Sequence, residues 1–151
     1  MRRILVAALV FTLAACGQSD ARAYPDNDGP SSLEEALREF ALTAPPCDTP
    51  DIRYAVVEGL PRGSSLYLRF SAPPSCVDGF VAAPAGQRSQ AVSKGSALPF
   101  HQSTVDKFGW SFDPVRDYQT YAIAPDSQTL FKIAVDTSAS PQVVYLYGTR
   151  A

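Results

Sequence analysis

Few side chains in this chain could do chemistry. There is one histidine, His101, and there are three cysteines, Cys16, Cys47 and Cys76. A Ser-His-Asp arrangement would have to use His101, because the imidazole is the base that activates the serine. His101-Gln102-Ser103 reads as a loop or a helix cap, and no Gly-x-Ser-x-Gly elbow occurs. Glycoside chemistry needs two carboxyl groups across a cleft. Asp113, Asp117 and Asp126 are available, but each stands beside a proline or in a turn, where Asp is common for local hydrogen bonding. Asp26-Asn27-Asp28-Gly29 invites a calcium loop: with Gly29 at the sixth place, Asp26, Asp28 and Glu35 fall on ligand places. The first place is then Tyr24, and Glu35 has a competing role as a helix cap. There is no P-loop, no dinucleotide glycine pattern and no His/Cys cluster. The residues therefore nominate no catalytic group, no metal ligand and no cofactor.

The tyrosines form the one suggestive constellation. Tyr54, Tyr67, Tyr121, Tyr145 and Tyr147 all fall in expected strands or at their ends. If Leu66, Leu68 and Phe70 face a helix layer, then Tyr67 and Arg69 face the other way, since side chains alternate along a strand. Lys132 lies opposite Phe131 and Ile133, and Tyr145 and Tyr147 lie opposite Val144 and Leu146. The set Tyr67, Arg69, Lys132, Tyr145 and Tyr147 is thus a candidate contact face, because Tyr and Arg are common interface anchors. The reverse phase of the last strand would bury both of its tyrosines.

The elements that must position these groups are legible in outline. Ser32 and Glu35 make a capping box, and Leu33, Ala36, Leu37, Phe40 and Ala41 follow as one apolar helical stripe. Ala44-Pro45-Pro46 stops that helix. Ile52 to Val57 and Ser65 to Ser71 read as a hairpin with a long loop. A short helix follows Pro73-Pro74, with Ser75 as cap, Val77, Phe80 and Val81 facing the core, and Gly79 inside it. Residues 84–99 read as a loop rich in Gly, Ser, Gln and Pro. A second short helix starts at Ser103 and stops at Gly109, and Trp110 and Phe112 flank Ser111 in an extended piece. Strands at 118–124, 129–135 and 143–147 close the chain, with connections short enough to make them antiparallel neighbours. The expected fold is α+β: an antiparallel sheet of about five strands, with an N-terminal helix and one or two short helices on one face.

The segment Leu13-Ala14-Ala15-Cys16 follows Met1-Arg2-Arg3 and an apolar run that begins at Ile4. It resembles the bacterial lipoprotein signal, whose lipobox is leucine, two small residues and cysteine. The resemblance covers residues 1–16 and implies a diacylglyceryl group on the Cys16 sulfur, cleavage before Cys16 and frequent acylation of the new amino end. Ile4 to Ala15 is 12 residues, about 18 Å as a helix and too short for a bilayer core of about 30 Å. Two acyl chains give a stable membrane hold. The implied location is the extracytoplasmic side of a bacterial cell membrane, in the periplasm or at the outer membrane if there is a second one.

Three segments follow from that reading: signal peptide 1–15, lipidated Cys16 with a flexible tether to residue 30, and one globular domain over 31–151. The tether reads GQSDARAYPDNDGP, polar and without apolar period. Removing residues 1–15 takes away Arg2 and Arg3 and no acid, leaving 11 basic and 15 acidic residues and a formal charge of −4. That balance argues against nucleic acid as a partner. With Cys16 lipidated, Cys47 and Cys76 remain in an oxidising compartment, and a disulfide is their simplest use. The redox or metal alternative lacks a Cys-x-x-Cys spacing and a nearby third ligand. The expected function is a non-catalytic binding module for an envelope protein or cell-wall component. The alternative is a small cell-envelope hydrolase using His101 or an acid pair.

Overall fold

The structure, a computed structural model, describes residues 20–59, 63–85, 89–95 and 98–151. The expected signal peptide, residues 1–15, and Cys16 lie outside the described residues. The fold is α+β, built on one antiparallel sheet. Its strands are β1 (Arg53–Glu58), β2 (Ser64–Ala72), β3 (Ser89–Gly95), β4 (Tyr118–Ile123), β5 (Thr129–Asp136) and β6 (Gln142–Arg150). Their spatial order is β1-β2-β6-β5-β4-β3. β4, β5 and β6 form the expected meander, and β6 inserts beside β2, joining the N-terminal hairpin to the C-terminal strands.

The sheet has one strand more than expected. β3 falls in the stretch that reads as a loop, because Ser-Gln-Ala-Val-Ser-Lys-Gly carries little β-branched or alternating signal. Among the described residues it is an edge strand paired with β4, and its register slips between Ala91 and Ser93. An edge strand lacks a second neighbour, and a bulge blunts it further.

Helices α1 (Leu33–Glu39) and α2 (Pro74–Ala82) cover one face of the sheet. α1 starts as its sequence demands: Ser32 Oγ accepts from the Glu35 amide at 3.3 Å. α2 starts on prolines instead of the expected Ser75 cap. Pro73 is its N-cap residue without a side-chain bond, and Pro74 opens the helix, where its missing N–H costs nothing. Leu66, Leu68, Phe70, Phe131, Ile133 and Leu146 are fully buried beneath these helices. Phe70 meets Phe80 of α2 edge-on at 5.0 Å. Cys47 and Cys76 are joined in a disulfide that ties the 43–51 loop to α2. Gly79 has its reason here: a Cβ on it would stand 3.0 Å from Pro46 Cγ, so glycine lets that loop lie on the helix.

The expected flexible tether is corrected over most of its length: residues 20–30 form a strap along the outer edge of β1. Tyr54 N–H donates to Arg22 O at 3.0 Å, and Tyr24 N–H to Tyr54 O at 2.7 Å. Val56 N–H donates to Asn27 Oδ1 at 2.8 Å, and Val56 O accepts from Asp28 and Gly29 at 2.9 and 3.2 Å. The outward backbone groups of Tyr54 and Val56 are therefore satisfied without another strand. Gly29 lies so close that a Cβ would sit 2.4 Å from Val56 Cβ. Asp20 forks onto Arg22, with contacts of 2.7 to 3.1 Å, and accepts the Leu33 amide at the start of α1. The low hydropathy of this segment misleads because it docks through backbone and polar side-chain bonds, with Tyr24 as its main apolar anchor. The folded domain accordingly includes residues 20–30 and does not start at residue 31.

Among the described residues, no helix is long and apolar enough to cross a membrane.

Candidate functional site

The second face of the sheet carries the residues that alternate with the helix-facing set. Cross-strand register sets Ala55, Tyr67, Tyr147 and Lys132 in one row and Arg53, Arg69, Tyr145 and Ala134 in the next. The expected phase of β6 is therefore the observed one. The expected exposure is not. Helix α3 (Gln102–Lys107), the following Phe108 and the piece Gly109 to Phe112 lie across this face. Thus α1 and α2 share one face, while the third helix covers the other.

The cover is built of rings. Phe108 packs on Tyr67 at 4.4 Å and on Tyr24 of the strap at 5.0 Å. Trp110 packs on Tyr145 at 5.3 Å, and Phe112 packs on Tyr145 at 4.4 Å. Trp110 Nε1–H donates to Tyr24 Oη at 3.2 Å, and Arg53 stands over the Tyr24 ring at 5.2 Å. Tyr145 Oη donates to Ser111 O at 3.2 Å. Tyr118 Oη accepts the Asp113 amide at 2.9 Å and fixes the exit of this segment. Gly109, with φ of 60°, makes the turn out of α3. Burial holds the phenols of Tyr24, Tyr67 and Tyr145 above their ordinary pKa, so all three are neutral hydrogen-bonding groups at pH 7.

The candidate contact set is divided by this arrangement. Tyr145 is buried, 6% exposed. Tyr67 is half-buried between Phe108 and Tyr147. Arg69 turns to Asp51 at 3.0 Å. Tyr147 and Lys132, neighbours across β6 and β5, are half-open at the margin of the cover, next to exposed Ala122 and Leu130. The face as a whole is not a free surface, because the chain supplies its own aromatic lid.

That lid leaves an open cleft of about 400 Å³. Leu98, Phe100, Val105, Trp110 and Phe112 supply its apolar walls, and Gln102, Asp106 and Ser111 its polar rim. Phe100 meets Trp110 edge-on at 5.2 Å and Phe112 at 5.9 Å, so three rings line one side. Gln102 Nε2 donates to Asp106 Oδ1 at 2.8 Å across one turn of α3. The sequence reading missed this site. Phe108, Trp110 and Phe112 recur at every second residue, which was the available signal, but the surface they close comes from β1, β2, β6 and the strap.

The residues considered for catalysis lie elsewhere. His101 is the exposed N-cap residue of α3, makes no cap bond with its side chain and does not line the cleft. Asp126 caps its own turn, accepting from the Gln128 and Thr129 amides at 2.8 and 2.7 Å. Asp113 and Asp136 share Arg116, at 3.4 and 2.8 Å. Asp117 lines a separate hollow of about 260 Å³ with Tyr118 and Ser138. Burial pushes the Asp136 carboxyl up, but bonds from Ser138 and Arg116 outweigh it and hold the group below the usual carboxylate range. A general acid needs the opposite shift.

The calcium reading also disperses. Asn27 bonds Val56 and Pro30, Tyr24 sits in the aromatic cluster, and Asp26 stands 4.0 Å from Lys107. Among the described residues no group of three His, Cys, Asp or Glu could hold a metal ion.

No known family model matches the chain, and comparisons with curated proteins and with solved structures return no match.

Proposed function

We propose that the chain is a bacterial lipoprotein, held on the extracytoplasmic side of a membrane by lipid on Cys16, whose domain binds an envelope protein or cell-wall component and does no chemistry of its own. Its location rests on Leu13-Ala14-Ala15-Cys16 behind a short apolar run. The observation that carries the binding role is the ring-lined cleft of Phe100, Trp110 and Phe112 beside α3. The cleft sets three rings beside the polar groups of Gln102, Asp106 and Ser111, so a partner can meet both apolar and hydrogen-bonding contacts there. Tyr147 and Lys132 extend the same face toward β5 and give a partner a second point of contact.

Two measurements test the two halves. Cys16→Ser should abolish labelling by a fatty-acid probe; persistent label on that variant sinks the anchor. For binding, isolated cell-wall sacculi and solubilised envelope proteins are mixed with the mature domain carrying a photo-crosslinker at Gln102. A discrete adduct is expected, and it should vanish with Phe100→Ser. Failure of both preparations to give an adduct that depends on Phe100 removes the cleft as the binding site.

A further inference from the structure

The strap changes how the domain must stand on its membrane. Only Gly17, Gln18 and Ser19 separate Cys16 from Asp20, the first described residue, which is bonded into the fold. Four residue steps span at most about 14 Å when fully extended. A compact domain of roughly 130 residues has a radius of gyration of about 14 Å and so a width of roughly 36 Å. The leash is therefore shorter than half the width of what it holds. A disordered tether over residues 16–30 would have allowed a reach of about 20 Å on average and free tumbling.

Asp20 also leaves the domain at a defined place. The strap runs parallel to β1, with Ala23 beside Tyr54, so Asp20 lies past the start of β1. It bonds the Leu33 amide, and Arg22 bonds Glu34 at 3.0 Å, which puts the first turn of α1 there. A hollow of about 300 Å³ opens beside it, lined by Arg22, Leu33, Pro45, Thr49 and Pro50 among others. The far end of the sheet holds Glu58, Gly63 and Arg150.

Building on lipidation at Cys16, we propose that the end of the domain formed by Asp20, the first turn of α1 and the 43–51 loop rests on the lipid headgroups, and that the domain keeps this one orientation. The partner surface is a bilayer, met through the short leash and not through charge. Asp20, Glu34, Glu35 and Asp48 make this end acidic, and Arg22 is already engaged by Asp20 and Glu34. Attraction to anionic lipid would need a basic cluster.

The test couples the mature chain to vesicles by hand. With Cys47 and Cys76 joined, Cys16 is the remaining thiol and takes a maleimide lipid in phosphatidylcholine vesicles. Amide hydrogen exchange is then compared with the uncoupled chain. Residues 31–36 and 43–51 should exchange several-fold more slowly on vesicles, while 57–59 and 124–128 should not change. Adding anionic lipid should leave the pattern as it is. Inserting about twenty Gly and Ser residues between Ser19 and Asp20, a reach of about 25 Å, should abolish the slowing. Uniform exchange with the native leash, or slowing that survives the insertion, overturns the proposal. Because the lipid is attached chemically, this result stands apart from the fatty-acid labelling that tests whether cells modify Cys16.

Discussion

The two faces of the sheet are buried by different means. On the first, α1 and α2 press aliphatic and Phe side chains onto β2, β5 and β6, and the Cys47–Cys76 bridge locks α2 to the loop after α1. A bridge over this separation contributes about 3–4 kcal/mol in the chain-entropy model. On the second, a six-residue helix and three rings lie on tyrosines, held by the strap through Tyr24 and by single hydrogen bonds. The first core is closed. The second is smaller, half-open at Phe100 and Phe112, and carries the cleft. Regions with fewer buried apolar contacts open at lower free energy than the core. The contrast teaches a division of labour: one face holds the fold, and the other carries a looser aromatic cover with the cleft in it.

Substitutions on each side can break that division. Phe70→Ala removes a fully buried ring from the first core and should cost about 3–5 kcal/mol of global stability, read as a shifted urea midpoint. An effect under about 1 kcal/mol would mean that this face is not the stability core. Phe108→Ala removes the ring that joins α3, Tyr67 and Tyr24, and should cost about 2 kcal/mol. Its sharper signature is local. Amides of 102–112 should lose protection from exchange while those of β2, β5 and β6 keep theirs. Equal loss everywhere would show the two faces to be one cooperative unit.

The smallest effect concerns pH. Asp136 lies at the end of β5 on the second face, with its carboxyl held below the usual range by Ser138 and Arg116. The sign follows from linkage: its contribution is present above the unfolded carboxylate value of about 4 and is lost as pH falls through the lower folded value. Asp136→Asn should cost about 1 kcal/mol at neutral pH, and the gap to the parent protein should close as acid protonates the folded carboxyl, read in urea titrations. Asp51 behaves in the same sense. Burial raises its carboxyl, but Ser71 and Arg69 lower it by more. A gap that widens in acid would contradict the hydrogen bonding described at Asp136.

Local periodicity made much of the fold legible. The capping box and stripe of α1, the alternation of β2 and β5 and the short turns of the C-terminal meander each act between residues close in the chain. Their boundaries in the structure differ from the expected ones by only a few residues. The pairing of Cys47 with Cys76 was readable for a different reason: once Cys16 is assigned to lipid, two thiols remain.

The sequence by itself determined which residues alternate to which side of each strand and where the first helix begins. Tertiary structure alone decided three things. It placed Asp20 to Pro30 on the edge of β1, because only an assembled sheet offers the unpaired N–H and C=O groups that those residues satisfy. It made β3 a strand, because pairing with β4 outweighs weak local preference at an edge. It closed Tyr67 and Tyr145 beneath Phe108, Trp110 and Phe112, because a face that is polar enough for water in one dimension can still bury its rings against a segment distant in the chain. Alternation tells a side chain which way to point; it carries no information about what the rest of the chain will lay on top of it.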